Sequence, residues 1–307
     1  MGMCFLCGKA MAPRYRVRDH LRPEILTEFP VEWCDACEFG RVAGEFTPGE
    51  VAAFYADGYY THGPETVSKQ GMGLLNRLRM HLAWHLDGGR DLSPGELARL
   101  KEHPRLCDVG CGSGLAMAAF KQAGFEVLGI EPDPAARSIA AQNGEVFDGT
   151  AEALPAAIAG RQFDAVLLSH VLEHCIDPVA ALGNVKSLLA PDGTAIIEVP
   201  NNGCVGFQMF GPGWFFADIP RHLQFFTEKS LRAALERAGL RVTKTIYTGY
   251  MRQFSPEWQA AHEVIGARIG DGPGGAREGN LWALLFRTAF AREQRKYDSI
   301  RVHAVHA

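Results

Sequence analysis

Arg105-Leu106-Cys107-Asp108-Val109-Gly110-Cys111-Gly112-Ser113-Gly114 is the stretch whose reading decides the fold. A short apolar run ends in an acid, passes through glycines at alternate positions, and enters the helical pattern of Leu115 to Ala123. Glycine is needed where the chain turns tightly and its backbone must approach a ligand. The helix that follows presents unpaired N–H groups at its start. The spacing separates the classes of nucleotide loop. A dinucleotide fingerprint places its third glycine at position 115, which is Leu115 here, and no Lys-Ser/Thr pair of a phosphate-binding loop follows. The loop is therefore not shaped for a pyrophosphate, which counts against a nicotinamide-dependent oxidoreductase.

Working outward, short apolar runs alternate with helical stretches, the pattern of βαβ units on a parallel sheet. The runs are Leu106 to Val109, Glu126 to Ile130, Phe163 to Ser169 and Thr194 to Val199. Between them the periodicity predicts helices over Leu115 to Ala123, Pro134 to Gln142 and Val179 to Leu189, with Pro191-Asp192-Gly193 as a turn into the last run. Thr227 caps a helix closed by Gly239. Strand-like runs follow at Arg241 to Tyr247 and Ile300 to Val305, with the glycine-rich stretch Gly270 to Gly279 as a loop between them. Upstream, Thr47-Pro48-Gly49-Glu50 reads as a helix start, and Leu74, Leu75, Leu78, Leu82 and Leu86 recur at helical spacing until Gly88-Gly89. The second strand of the α/β part ends in Glu131, followed by Pro132. An acid at that strand tip accepts the two ribose hydroxyls of an adenosine.

The third feature is Phe163-Asp164, then His170-Val171-Leu172-Glu173-His174, then Asp177-Pro178. Together with the Asp108 glycine loop, Glu131 and Gly149-Thr150-Ala151-Glu152-Ala153-Leu154-Pro155, these motifs resemble those of the class I S-adenosylmethionine (SAM)-dependent methyltransferases of the ubiquinone type. The resemblance covers residues 100 to 250. It implies a Rossmann-like α/β fold with seven mostly parallel strands, and SAM as cofactor. It places Asp108 and Gly110 near the methionine amino group, and Gly112 and Gly114 along methionine and ribose. Glu131 falls on the ribose with Pro132 beside it, and Thr150, Ala151 and Glu152 border the adenine. His170 falls at the sulfonium end. Many relatives carry Asp where this chain has Thr150. His170 to His174 also spells the H-x-x-E-H metalloprotease signature, but that motif needs a helix, and here it follows a strand. A divalent metal at Glu173 and His174, as in some quinone-pathway O-methyltransferases, is the alternative reading of the pair.

Cys4-Phe5-Leu6-Cys7 and Cys34-Asp35-Ala36-Cys37 are two C-x2-C knuckles with 26 residues between them. Four thiolates suit tetrahedral Zn²⁺, and a set filled by Cys leaves no open position, so the expected metal is structural. The competing readings are two unrelated pairs of reduced thiols, or a redox pair, for which the thioredoxin-like surroundings are missing. Zinc ribbons of this kind precede the methyltransferase domain in a subgroup acting on sugars, polysaccharide precursors and natural products, and Phe54-Tyr55 with Tyr59-Tyr60 resembles that subgroup. Cys107, Cys111, Cys175 and Cys204 read as small core or loop residues.

The expected organisation is a zinc ribbon over 1–45, a helical lid or linker over 46–103, and a methyltransferase domain over 104–307 with a substrate insertion at 201–222. Transfer to a hydroxyl requires removal of a proton, and a histidine of near-neutral pKa suits that task. The candidates lie after the fourth and fifth strands: His222 first, then His170, with His174 and Asp218 nearby. Phe207, Phe210, Trp214, Phe215 and Phe216 form either a wall over the acceptor or a satellite core. A net charge of -4 and a pI of about 6.3 disfavour nucleic acid as the partner. A small-molecule acceptor, O-methylation and a cytoplasmic location off the membrane are the expectations. A zinc-ribbon RNA methyltransferase and a non-catalytic SAM-binding scaffold are the alternatives. Oligomeric state is not legible.

Overall fold

The computed structural model describes residues 2–22, 24, 26–55, 73–87, 103–269 and 281–307. Tyr59-Tyr60, Gly88-Gly89, Gly270 to Gly279 and most of the 46–103 stretch lie outside the described residues. Inside that stretch, helices run over Pro48–Ala53 and Leu74–Leu86. The first is closed by the capping box that Thr47 and Glu50 form.

The N-terminal sheet is antiparallel. It comprises β1 (Ala12–Arg18), β2 (Glu28–Cys34) and β3 (Phe39–Val42). The central sheet is assembled from β4 (Arg105–Val109), β5 (Glu126–Ile130), β6 (Glu145–Phe147), β7 (Phe163–Ser169) and β8 (Leu189–Pro200). Next in the chain is β9 (Gln224–Phe225), which leaves the central sheet and completes the N-terminal one, pairing Gly40 with Phe225 and Arg41 with Gln224. The central sheet ends with β10 (Leu240–Thr248) and β11 (Ser299–His306). Its seven strands lie in the order β10-β11-β8-β7-β4-β5-β6. β4, β5, β6, β7 and β8 pair in parallel, and β11 runs antiparallel between β8 and β10.

Physical reasons for this order are legible strand by strand. Leu106, Ala165, Leu167 and Ile196 pack on one face with Phe120 and Phe125. Cys107, Val109, Val166, Leu168 and Ile197 pack on the other. A strand buried on both faces must be apolar at successive positions, which is why these runs do not alternate with polar residues. The chain winds from β4 out to β6, then crosses back to start β7 on β4's other side. That reversal opens a crevice at the carboxyl ends of β4 and β7, where open α/β sheets bind ligands.

Helix positions follow the predicted pattern. Asp133 caps Pro134–Ala140, Asp177 caps Pro178–Leu188, and Thr227 caps Glu228–Arg237. The predicted turn at Pro191-Asp192-Gly193 appears as an irregularity inside β8, where the register against β7 slips between Phe163 and Ala165. The helices Pro256–Ile269 and Leu281–Ala289 were not anticipated from the sequence.

The N-terminal sheet has no core of its own. Cys4, Met11, Val31 and Phe39 share one buried cluster with Phe225, Phe226 and the central sheet. Phe39 meets Phe226 at 5.4 Å and Trp33 stacks on Phe207 at 6.2 Å between ring centres. The 201–222 insertion therefore divides. Phe207, Phe210 and Trp214 are buried as core, and Phe215 and Phe216 are half-buried. Among the described residues no helix is long and apolar enough to cross a membrane.

Candidate active site

On the donor side, Gly110 leaves β4 with φ 75°, and the N–H groups of Gly110 and Cys111 both donate to Ile130 O at 2.7 and 3.1 Å. A methyl at Gly110 would strike Val171, and one at Gly114 would come within 2.9 Å of the Ala140 backbone, so neither position tolerates a side chain. Gly112 differs: its φ is 52°, yet an added Cβ would meet nothing within 4 Å. That space is a cradle that a side chain would fill. Glu131 is buried and rims it, accepting from Gly112 N at 2.8 Å and Asp133 N at 2.9 Å.

Asp108 is the other wall. It is buried, and its Oδ2 has no hydrogen-bond partner among the described residues. Burial, then the charge of Glu131, pushes its carboxyl up to about 7. A buried carboxylate oxygen without a partner is costly unless a cationic or donor group meets it. The ammonium of a methionine moiety is such a group, so the residues present fit SAM. Thr150, Ala151 and Glu152 form a turn on the far side. Thr150 Oγ1 accepts from Ala153 N at 3.0 Å, Glu152 accepts from Asp177 N at 2.7 Å, and Asn184 holds the carbonyls of Ala151 and Glu152.

A second cluster of buried polar side chains lies beyond β7. His170 has φ 54°, a left-handed conformation that costs a non-glycine residue energy and recurs at functional sites. Residues Leu172–His174 form a single 3-10 turn, so the H-x-x-E-H spelling does not sit on an α-helix. His170 Nδ1 lies 3.2 Å from Glu173 Oε1 and its Nε2 lies 3.9 Å from Glu198 Oε1. Burial opposes its charged form, but the Glu173 bond and the charges of Glu173 and Glu198 outweigh it and raise the pKa. Glu198 is itself clamped by Thr248 Oγ1 at 2.6 Å and Arg301 Nε at 2.8 Å.

His222 is the opposite case. It is buried, its Nδ1–H donates to Phe216 O at 2.9 Å, and burial, then the neighbouring His174, lowers its pKa to about 4. Nε2 is thereby left as the ring's lone-pair nitrogen. His174 stands 4.6 Å away between ring centres, with Nδ1 held by Arg221 O at 3.0 Å and Tyr55 Oη at 2.7 Å. Burial raises the Tyr55 phenol, which keeps its proton. One ligand atom each from Glu173, His174 and His222 lies within 4.8 Å of the others. Glu173 Oε2 is buried with no hydrogen-bond partner among the described residues. The ring of Phe216 roofs this space, touched by His170 at 5.3 Å, Trp258 at 5.0 Å and the Arg252 guanidinium at 4.7 Å.

Residues 90–245 match the family model described as a methyltransferase domain. The chain belongs to the SAM-dependent methyltransferase family. Curated relatives agree: this methyltransferase is 34% identical over 211 residues to the ubiquinone biosynthesis O-methyltransferase of Cereibacter sphaeroides, covering 63% of this chain and 82% of that protein. The corresponding enzyme of Dinoroseobacter shibae is 37% identical over 166 residues, covering 50% and 64%. Among solved structures, magnesium protoporphyrin IX methyltransferase (ChlM) from Synechocystis PCC 6803 with bound SAH overlaps at 16% identity, 78% and 90% coverage and a TM-score of 0.44.

The sequence reading missed the groups that pack around His170, His174 and His222 in this methyltransferase. In the sequence Tyr55 stands out only through the Phe54-Tyr55 and Tyr59-Tyr60 pairs. Glu198, Arg301, Thr248 and Asp19 carry no local motif, Arg221 lies in the Asp218 to Thr227 stretch that was read only for Asp218 and His222, and the topology of β8, β10 and β11 and the N-terminal sheet brings them in. The four knuckle sulfurs do come together, each within 4.8 Å of the others. Cys7 Sγ and Cys34 Sγ are 3.7 Å apart. A tetrahedron with metal–sulfur bonds of about 2.3 Å has edges of about 3.8 Å.

Proposed function

We propose that this enzyme transfers the methyl group of SAM to an oxygen of a small-molecule acceptor, with His222 as the general base. The observation that carries the reading is the fixed tautomer of His222. Its Nδ1–H is committed to Phe216 O, so Nε2 is the nitrogen available to take a proton. At neutral pH the ring is uncharged, because its pKa is lowered to about 4. Such a ring is a weak base in isolation, but Glu173, held ionised beside it, stabilises the imidazolium as the proton arrives. SAM bound against Asp108, Gly112 and Glu131 supplies an activated methyl on a cationic sulfur. His170, whose charged form is favoured by its two carboxylates, orients the acceptor's polar group, and Phe216 excludes water above it. Alignment to about 3–3.5 Å is the remaining requirement. The relatives' names point to O-methylation in ubiquinone biosynthesis. The cysteine knuckles point to the sugar and natural-product subgroup. Zn²⁺ would be held by Cys4, Cys7, Cys34 and Cys37 and, with all four positions filled by thiolates, would be structural.

A second reading is favoured by Glu173 Oε2. Two imidazoles and a carboxylate oxygen suit a divalent cation with open positions, which would lower the pKa of an acceptor hydroxyl. The test is a labelled-SAM screen over catechols, phenols and sugar nucleotides, run after chelation and again with Mg²⁺, Mn²⁺ or Zn²⁺ restored. Transfer without added metal supports the base. Transfer only with metal supports the cation. Methylation of RNA but of none of these small molecules overturns both.

A further inference from the structure

Arg221 is a fully buried cation, next in sequence to His222. Its guanidinium is gripped from the N-terminal sheet's side, Nη1 to Asp19 Oδ2 at 3.1 Å and Nη2 to Asp19 Oδ1 at 2.9 Å. From its own loop, Nε donates to Asp218 Oδ1 at 2.8 Å and Nη2 to Ile219 O at 3.5 Å. Both aspartates are buried, Arg22 Nε stands 3.4 Å from Asp19, and His20 Nε2 stands 3.8 Å from Asp218. Arg268, from the Pro256–Ile269 helix, donates to His20 O at 2.8 Å. The pair of aspartates and the pair of arginines are therefore balanced in charge, and a fork-on-carboxylate contact of this kind fixes orientation as well as distance.

This grip bears directly on the acceptor site. Arg221 O holds His174 Nδ1, His222 N donates to Asp218 O at 2.9 Å, and Leu223 N donates to Glu173 O at 2.8 Å. One residue further, Leu223 O receives Val42 N from β3, and Gln224–Phe225 joins the N-terminal sheet as β9. Asp218 pays for the geometry with φ 30°, outside the range that non-glycine residues favour. Without an outside anchor, a loop with a strained residue and a buried charge has little to keep it in one conformation.

We propose that the cysteine-bearing N-terminal sheet is a working part of the acceptor site, with Asp19 and Arg221 as positioning residues. Asp19 clamps Arg221, and Arg221 fixes the 218–222 loop so that His222 keeps its Nδ1–H on Phe216 O and aims Nε2 at the acceptor. The inference rests on His222 facing the acceptor as proposed above, but its test needs no acceptor.

The measurement is a two-bond nitrogen–proton correlation spectrum of ¹⁵N-histidine-labelled full-length protein with S-adenosylhomocysteine bound, the His222 signals being assigned by their loss in His222→Gln. The parent shows the Nδ1-protonated tautomer. Asp19→Asn loses that signature to the Nε2-protonated form or to an average of the two, while S-adenosylhomocysteine affinity and zinc content stay as in the parent. Asp19→Glu restores it. An unchanged His222 spectrum in Asp19→Asn overturns the proposal. So does loss of cofactor-product binding along with the signature, because the clamp then merely holds the fold. Arg221→Lys, which keeps the charge and loses the fork, is read the same way if the Asn variant does not fold. If neither folds, the pair is structural and the proposal fails. Failure of His222 as a base would show only in the acceptor assay and leave this result standing.

Discussion

The two halves of the proposed active site are built by different means. The donor half is local. Asp108, Gly110, Gly112 and Gly114 lie within seven consecutive residues, and Glu131 is delivered by the adjacent strand β5, paired in register with β4. The acceptor half is assembled across the chain. Glu173 and His174 come from the β7 exit, His222 from the insertion after β8, and Tyr55 from the far N-terminal side. Its geometry is then fixed by Asp19, more than 200 residues from the loop it anchors. A local half tolerates change elsewhere in the protein, whereas an assembled half inherits every defect in the elements that meet there.

The largest effect that would sharpen this contrast is expected at His222. His222→Gln keeps a polar side chain but removes the proton acceptor, and should lower the turnover of any acceptor found by about 10²–10⁴. S-adenosylhomocysteine affinity should hold, measured by calorimetry. A variant that retains turnover would remove His222 from the chemistry and move the cation reading ahead.

Next in size is Cys34→Ser. The parent should carry stoichiometric zinc by elemental analysis, and the variant should lose it together with thermal stability, since a structural metal contributes to folding directly. Hydrogen exchange should rise first in β2, β3 and β9, while β4 and β5 stay protected. Exchange rising equally across both sheets would break the contrast between an assembled and a local half. A parent protein without zinc would remove the ribbon.

Glu131→Ala isolates the donor half. Loss of two charge-assisted hydrogen bonds, at about 1.5–3 kcal/mol each, should weaken S-adenosylhomocysteine binding by about a hundredfold or more, and loss of the bonds from Gly112 N and Asp133 N should lower the melting temperature of the ligand-free protein modestly. Unchanged affinity would sink the ribose assignment.

The same contrast explains what the sequence could reveal. The glycine loop, its strand and the Glu131 tip were legible because their chemistry depends on neighbours within one βαβ unit, where spacing is geometry. The cap at Thr227 was legible for the same reason. His222 was readable as a candidate, but not the clamp behind it. Asp19 and Arg221 look in sequence like two surface charges, and only burial to 2% and 0% exposure makes them a matched pair. Strand β9 was invisible because two residues are too few to show a period. The aromatic insertion could not be divided into core and wall, since Phe207 and Phe216 differ in surroundings and not in type.

The smallest effect concerns Asp108, and it tests whether the local half is as self-sufficient as it looks. Burial and the charge of Glu131 push its carboxyl up to about 7. The sign follows from linkage. A folded pKa above the unfolded value near 3.8 stabilises the fold below that value, and the contribution is lost as pH rises through about 7. A ligand ammonium pairing with the carboxylate reverses this: it binds the ionised form, so binding below pH 7 must first expel a proton. Affinity for S-adenosylhomocysteine should therefore fall about tenfold from pH 8 to pH 6, with proton release visible in buffers of different ionisation enthalpy. Asp108→Asn should bind more weakly at pH 8 and lose the slope. A parent whose affinity does not change over this range would mean that the amino group is held elsewhere. The unpartnered Oδ2 of Asp108 would then need another partner, and the donor half would depend on more of the chain than its own motif.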